Sequence, residues 1–373
     1  MASSNGCFSI IKKLALVIVI LAIGIPFYYG STDSGYLRLR VIHSLISLKH
    51  MFLSDPNRPK LSPEYRAFET ILQSIPRIEY DPLMDRFERA KEMRSKFPFG
   101  SIIPRPSGCQ FKKQVFEYEG QTADAYWINN FVQEKKWESD RILLYFHGGG
   151  YLLGDFHTYS GFECHLSRLF NMTVIHLEYR RIPEDPLPAA VHDALTLYRA
   201  LLRDGISSSR MVIMGDSAGG GLSLLTVQAI LADQSPKPRA VVTLSPWTDL
   251  SSSGESITRN RLMDVMVRAE DLPWLIEQVL GPSHAQIARD DPLHSPLYGS
   301  FKDFPPLYIS VGTAEVLEDD SRRVVDKARR EGVDVTLDVG EHMIHVYPIF
   351  FPYFREARDA LDNIRQWLET KFQ

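Results

Sequence analysis

Met211-Val212-Ile213-Met214 runs into Gly215-Asp216-Ser217-Ala218-Gly219-Gly220, and a helical run from Leu222 to Leu231 follows. An apolar run, a tight turn and a helical run read as strand, bend and helix, with a serine at the apex. The bend crowds its neighbours, so small residues must flank the serine, and Gly215, Ala218 and Gly219 do. The serine oxygen then stands clear of the sheet, within reach of a base and of a substrate carbonyl. G-x-S-x-G alone is a loose pattern. Its weight here comes from the readable strand and helix on either side.

A second motif, His147-Gly148-Gly149-Gly150, follows another buried-strand run, Ile142-Leu143-Leu144-Tyr145-Phe146. Three glycines taken alone mean a loop. After an early strand and ahead of a serine elbow, they suit backbone N–H groups aimed at an oxyanion, where each donor contributes about 3 kcal/mol in the transition state. His147 reads as structural, holding the glycine loop through a ring hydrogen bond.

A serine needs a base, and the base needs an acid to fix its tautomer. In this arrangement the chain order is serine, acid, histidine. The strand Pro306 to Gly312 is followed by Glu315, Glu318, Asp319 and Asp320. Val333 to Val339 alternates as a strand does, and behind it lie His342 and His345. The lone histidines at 157, 165, 176, 192, 284 and 294 carry no partner pattern and read as core or surface residues.

From about 110 to 371 the chain resembles the hormone-sensitive-lipase-like family of α/β-hydrolases, which takes in arylacetamide deacetylase and microbial carboxylesterases. The likeness rests on the two glycine motifs, Tyr179-Arg180 with Pro183-Glu184 and Pro188-Ala189-Ala190, Ser245-Pro246-Trp247 with Asp249, and the Ile344-His345 region. It implies Ser217 as nucleophile, His345 as base, and N–H donors from Gly149, Gly150 and Ala218. The family's Asp-Pro-Leu-x-Asp stands here as Glu315-Val316-Leu317-Glu318-Asp319, so the acid falls on Glu315, with Asp319 as the alternative. His342 is left as a loop residue on the rim. The implied activity is a serine carboxylesterase or lipase acting on hydrophobic esters through an acyl-enzyme. The alternatives are a non-catalytic receptor or scaffold on the same fold, and a deacetylase for amides or steryl acetates.

The implied architecture is one α/β-hydrolase domain, 106–373. Its eight-stranded, mostly parallel sheet carries helices on both faces and a hairpin at one edge (115–118 with 123–128). The other strands are expected at 141–146, 173–178, 211–215, 240–244, 307–311 and 333–339. Residues 31–105 form a helical cap segment, in which Val41, Leu45, Ile46, Leu48 and Phe52, then Phe68, Ile71, Leu72 and Ile75, recur near helical spacing. A second cap insertion spans 250–305. An apolar lid excludes water and favours hydrophobic substrates.

Lys12 and Lys13 precede an almost wholly apolar stretch, Leu14 to Tyr29, over 1–30. It reads as a signal-anchor helix, short for the roughly 20 residues of a span. A cleaved signal, giving a secreted or periplasmic product, is the rival. The charge balance around the stretch favours a single-pass protein of the endoplasmic reticulum with a lumenal catalytic domain. Asn171-Met172-Thr173 is a sequon. The chain carries a net charge of −4 without a basic block, so nucleic acid is an unlikely partner. Its 3 cysteines are too few for a disulfide scaffold, although Cys109 and Cys164 could pair. No metal-ligand spacing, phosphate loop or dinucleotide pattern is present, and triad chemistry needs no cofactor. The sequence leaves the oligomeric state open.

Overall fold

The computed structural model describes residues 24–25, 31–53, 55–76, 78–81, 83–97, 99–129 and 141–373. Its centre is one eight-stranded sheet of order β1-β2-β4-β3-β5-β6-β7-β8. The strands are β1 (Phe111–Tyr118), β2 (Gln121–Ile128), β3 (Ile142–Phe146), β4 (Thr173–Glu178), β5 (Met211–Asp216), β6 (Ala240–Leu244), β7 (Leu307–Gly312) and β8 (Val335–Gly340). β1 pairs antiparallel with β2, and β2 with β4. All other pairings are parallel. Both faces of the parallel strands are covered, which is why β3 and β6 are buried at every position and apolar almost throughout.

Counting helices of nine residues or more, α1 is Ser34–Met51, α2 Pro63–Ser74, α3 Arg86–Lys96, α4 Phe156–Phe170, α5 Ala189–Arg203, α6 Ser217–Ala232, α7 Leu272–Leu280, α8 Glu318–Arg330 and α9 Arg355–Lys371. One apolar layer joins α5, α6 and α8 to one face of the sheet. The other joins α4, α9 and the 347–354 segment to the opposite face.

α1 turns Tyr36, His43 and Ser47 inward and leaves Leu45 64%, Leu48 53% and Phe52 81% exposed. The two polar residues among these find partners: His43 Nε2 lies 2.8 Å from the Glu64 carbonyl, and Ser47 donates to the His43 carbonyl at 2.8 Å. On α2, Phe68 is buried against Phe350, Tyr353 and Phe354, with centroids 4.7, 4.8 and 5.6 Å away. Ile75 is exposed. So α1 and α2 pack on the body of the domain, and none of their described residues is among the walls of the pocket at the serine bend. It is the end of α3, through Met93 and the following Phe97, that reaches the pocket there.

Cys109, just before β1, is bonded to Cys164 in α4, with Cα atoms 6.0 Å apart. Asn171 closes α4 in the left-handed conformation and is exposed. The apolar stretch read as a signal-anchor lies almost wholly outside the described residues. Among the described residues, no helix is long and apolar enough to cross a membrane.

Candidate active site

β5 ends at Asp216 and α6 begins at Ser217, so the serine occupies the bend itself. Its φ is 51°, a left-handed value that costs a non-glycine residue about 1–3 kcal/mol and persists only when its surroundings impose it. One restraint is the Trp247 N–H, which donates to the Ser217 carbonyl at 2.9 Å. Another is crowding: a Cβ on Gly219 would stand 2.0 Å from the Phe146 carbonyl oxygen, so only glycine lets α6 approach β3 this closely. Beside the serine, the buried Asp216 carboxylate accepts from Tyr145 O–H (2.7 Å), Tyr159 O–H (3.2 Å) and Gly148 N–H (2.9 Å). Burial raises its pKa to about 6 against the pull of these bonds. Asp216 thereby fastens the bend to the glycine loop.

The loops after β7 and β8 bring Glu315 and His345 together. Glu315 Oε2 lies 2.5 Å from His345 Nδ1, and both side chains are buried. The other oxygen, Oε1, accepts from Ser245 O–H at 2.8 Å and Gly312 N–H at 2.7 Å. Ser245 in turn accepts the Val346 N–H at 3.0 Å, so one hydroxyl braces acid and base at once. Burial works against a proton on His345. The charge of Glu315 outweighs it, helped by Asp264 and Asp216, and the pKa is raised above the ordinary 6.5.

The two alternatives lie elsewhere. Asp319 accepts the Ser256 N–H at 2.9 Å and pairs with Arg259 at 2.8 Å. His342 is exposed at the rim, its N–H bonded to Thr313 Oγ1 at 2.7 Å.

Across the serine, Gly149 (φ 105°) and Gly150 (φ 65°) take conformations that favour glycine. Among the described residues neither N–H is engaged by a hydrogen-bond acceptor. Ala218, in the first turn of α6, has an N–H without an intrahelical partner. His147 Nδ1 lies 2.8 Å from the Gly148 carbonyl, and Tyr179 O–H donates to the His147 carbonyl at 2.7 Å. The His147 ring stacks on Tyr179 at 4.2 Å and faces His176 at 5.5 Å.

His176 therefore does have partners. Its Nδ1 is 2.6 Å from Glu163 Oε1, and its Nε2 is 3.4 Å from Glu178 Oε2. Burial opposes a charge on this ring, but the two glutamates prevail and raise its pKa to about 10. Burial, then the charge on His176, lowers His147 to about 3 and keeps it neutral. His147, His176 and Glu178 also bring side-chain N and O atoms within 4.8 Å of one another, but a His176 ring protonated between its two glutamates has no lone pair left for a cation. Sequence spacing hides this set, because the three residues gather only when β3 and β4 pair.

Ser217, His345, Gly149 and Gly150 line one pocket of about 240 Å³. Its walls are mostly apolar: Met93, Phe97, Leu152, Leu153, Trp247, Met266, Val267, Leu272, Leu275 and Leu317. Met266 to Leu275 come from the 250–305 segment. Ser245 was visible only as part of a motif. Asn260 and Asp264, which bond the backbone around Glu315, carried no sequence pattern at all.

Residues 143–349 match the family model of an alpha/beta hydrolase fold. An acetyl-hydrolase of Streptomyces hygroscopicus is 37% identical over 236 residues, which cover 62% of this chain and 77% of that protein. An esterase of Acinetobacter venetianus is 31% identical over 227 residues, 61% of this chain and 74% of that protein. Among solved structures, an esterase from the bacterial hormone-sensitive lipase family superposes with a TM-score of 0.70 at 32% identity, covering 84% of this chain and 99% of that one. An esterase/lipase from an uncultured bacterium gives 0.72 at 28% identity, covering 83% and 99%. These findings correct the expectation of a single-pass protein of the endoplasmic reticulum. The relatives are bacterial esterases, and no helix among the described residues can span a bilayer. The chain is a carboxylic ester hydrolase, and it belongs to the hormone-sensitive-lipase-like family of α/β-hydrolases.

Proposed function

We propose that this chain hydrolyses compact hydrophobic esters by two-step acyl transfer, with Ser217 as nucleophile, His345 as base and Glu315 as the acid that orients it. The observation that carries the reading is the 2.5 Å contact between Glu315 and His345, at the edge of the pocket that Ser217 also lines. Glu315 fixes Nδ1 as the protonated nitrogen and leaves Nε2 to take the serine proton. Ser217 Oγ then attacks the ester carbonyl. The oxyanion enters the hole formed by the N–H groups of Gly149, Gly150 and Ala218, a reading supported by the glycines' conformations and by the absence of an acceptor on either N–H among the described residues. The alcohol leaves with the proton from His345. Water, deprotonated by the same ring, releases the acid and restores the serine.

The apolar walls favour hydrophobic groups on the substrate, and about 240 Å³ lies at the small end for ligand pockets. On this proposal 250–305 forms one side of the cap and the end of α3 the other, a reading supported by the residues of both that line the pocket. Ser217→Ala tests the reading. Turnover of a short p-nitrophenyl ester and labelling by a fluorophosphonate should both disappear. Labelling and turnover at the parent level would sink the assignment.

A further inference from the structure

The peptide that joins Glu315 to Val316 is held from both ends by side chains of the 250–305 segment. Asn260 Nδ2 donates to the Glu315 carbonyl at 2.8 Å and to the Thr313 carbonyl at 3.2 Å. Asp264 Oδ2 accepts the Val316 N–H at 2.9 Å. The second oxygen of Asp264 accepts the N–H groups of Met266 and Val267, each at 2.8 Å. Met266 and Val267 are walls of the substrate pocket. Both clamping side chains are buried, Asn260 at 1% exposure and Asp264 at 3%. Asp264 meets three backbone donors here, so an acceptor-only carboxylate fits the site. An amide would turn its NH2 against one of those N–H groups.

We propose that Asn260 and Asp264 are positioning residues of the triad: they grip the Glu315–Val316 peptide and tie the pocket wall to the acid that orients His345. On this reading the insertion is part of the catalytic machinery as well as a cover over it. A substrate that presses on Met266 and Val267 presses, through one carboxylate, on the loop that carries the acid. A displacement of about 1 Å at such a group costs on the order of 100-fold in rate. Asp264 also adds negative charge near His345. The charged groups that face the ring are Glu315, Asp264 and Asp216.

The inference rests on the triad reading above, and its test separates the two. Asp264→Asn and Asn260→Ala are made in the full chain, alone and in a Glu315→Ala background, and assayed with a short p-nitrophenyl ester alongside Ser217→Ala. The expected result is a loss of about tenfold or more in kcat for each single variant, with KM within about threefold. Asp264→Asn should also move the acid limb of the kcat/KM profile to lower pH, because a negative charge that favours the protonated ring is gone. Asn260→Ala keeps the charge and should leave the limb in place. In the Glu315→Ala background neither change should cost more than about twofold, since the group they position is already absent. If Asp264→Asn does not fold, Asn260→Ala carries the test.

The inference is overturned if kcat is unchanged in the folded variants. It is equally overturned if the loss lies in KM, or if it recurs in full without Glu315. A Ser217→Ala protein as active as its parent would overturn the triad reading itself.

Discussion

The two flanks of Ser217 are built differently. On the flank we assign to the oxyanion, the glycine loop is held from behind by the body of the sheet. Asp216 grips Gly148, Tyr179 grips His147, and His147 faces an imidazole set between the buried Glu163 and the half-buried Glu178. Every one of these groups belongs to β3, β4, β5, α4 or the turns that leave them. On the acid flank, Glu315 sits on a loop, and its neighbours Ser245, Asn260 and Asp264 arrive from outside the strand it follows. The first flank is built from the sheet and one helix. The second is built from loops, and the insertion that holds it also lines the pocket. Damage to the acid flank should fall mainly on rate, and damage behind the oxyanion loop mainly on stability.

Removing the acid gives the largest effect and tests the division most directly. Glu315→Ala should lower kcat by about 10³–10⁴-fold, in line with losses at other triad acids, while the protein stays folded. Glu315→Gln should in addition shift the acid limb of kcat/KM downwards. The parent limb should lie above the ordinary histidine pKa of 6.5, because Glu315 raises His345 against the effect of burial. Without that charge the ring loses its proton at lower pH. The pH–rate profile and a melting curve on the same samples check both statements. A variant that loses stability and keeps its rate would erase the contrast between the flanks.

The oxyanion flank should respond the other way. His176→Phe leaves Glu163 and Glu178 without their shared cation, and breaking a buried pair costs about 3–5 kcal/mol. pH adds a second signature. The folded pKa of His176, about 10, lies above its ordinary 6.5. Its contribution is therefore complete below about pH 6.5 and is lost as pH climbs towards 10. Denaturant unfolding from pH 6 to 10 should show the parent losing stability across that window and the variant losing much less. In the folded fraction, kcat should stay within about tenfold of the parent. A slope equal to the parent's would mean that His176 is not the titrating group.

How much of this could be read from residues alone follows the same division. Strands buried on both faces are unbroken apolar runs, so β3 and β5 stood out with the bends after them. The hairpin of β1 and β2 and the mostly parallel pairing also followed from pattern. α1 was harder to read because two of its three fully buried residues, His43 and Ser47, are polar. Tyr36, His43 and Ser47 point inward, where carbonyls of α1 and α2 satisfy the histidine and the serine, and Leu45 and Leu48 lie outside. Helical periodicity marks two faces and does not say which one is turned in. The His176 cluster was hidden because its members are unremarkable one by one and meet only when β4 pairs with β3. Asn260 and Asp264 were hidden for another reason: they bond peptide groups, and a backbone partner leaves no trace in residue identity.

The smallest effect belongs to the residue that sequence could not separate from the acid. Asp319 sits in the first turn of α8, where its carboxylate accepts the Ser256 N–H and pairs with Arg259. A helix N-terminus favours negative charge there, but Arg259 is exposed enough for water to screen the pair. Asp319→Ala should therefore cost about 1 kcal/mol of stability and leave kcat/KM within about threefold. High salt should narrow the stability difference, since screening already weakens the ion pair in the parent. Thermal melts at two ionic strengths, with ester turnover on the same preparations, measure both quantities. A fall of several decades in kcat for Asp319→Ala, with Glu315→Ala near parental, would transfer the acid's role to Asp319. The clamp on the Glu315–Val316 peptide would then be no more than a packing feature.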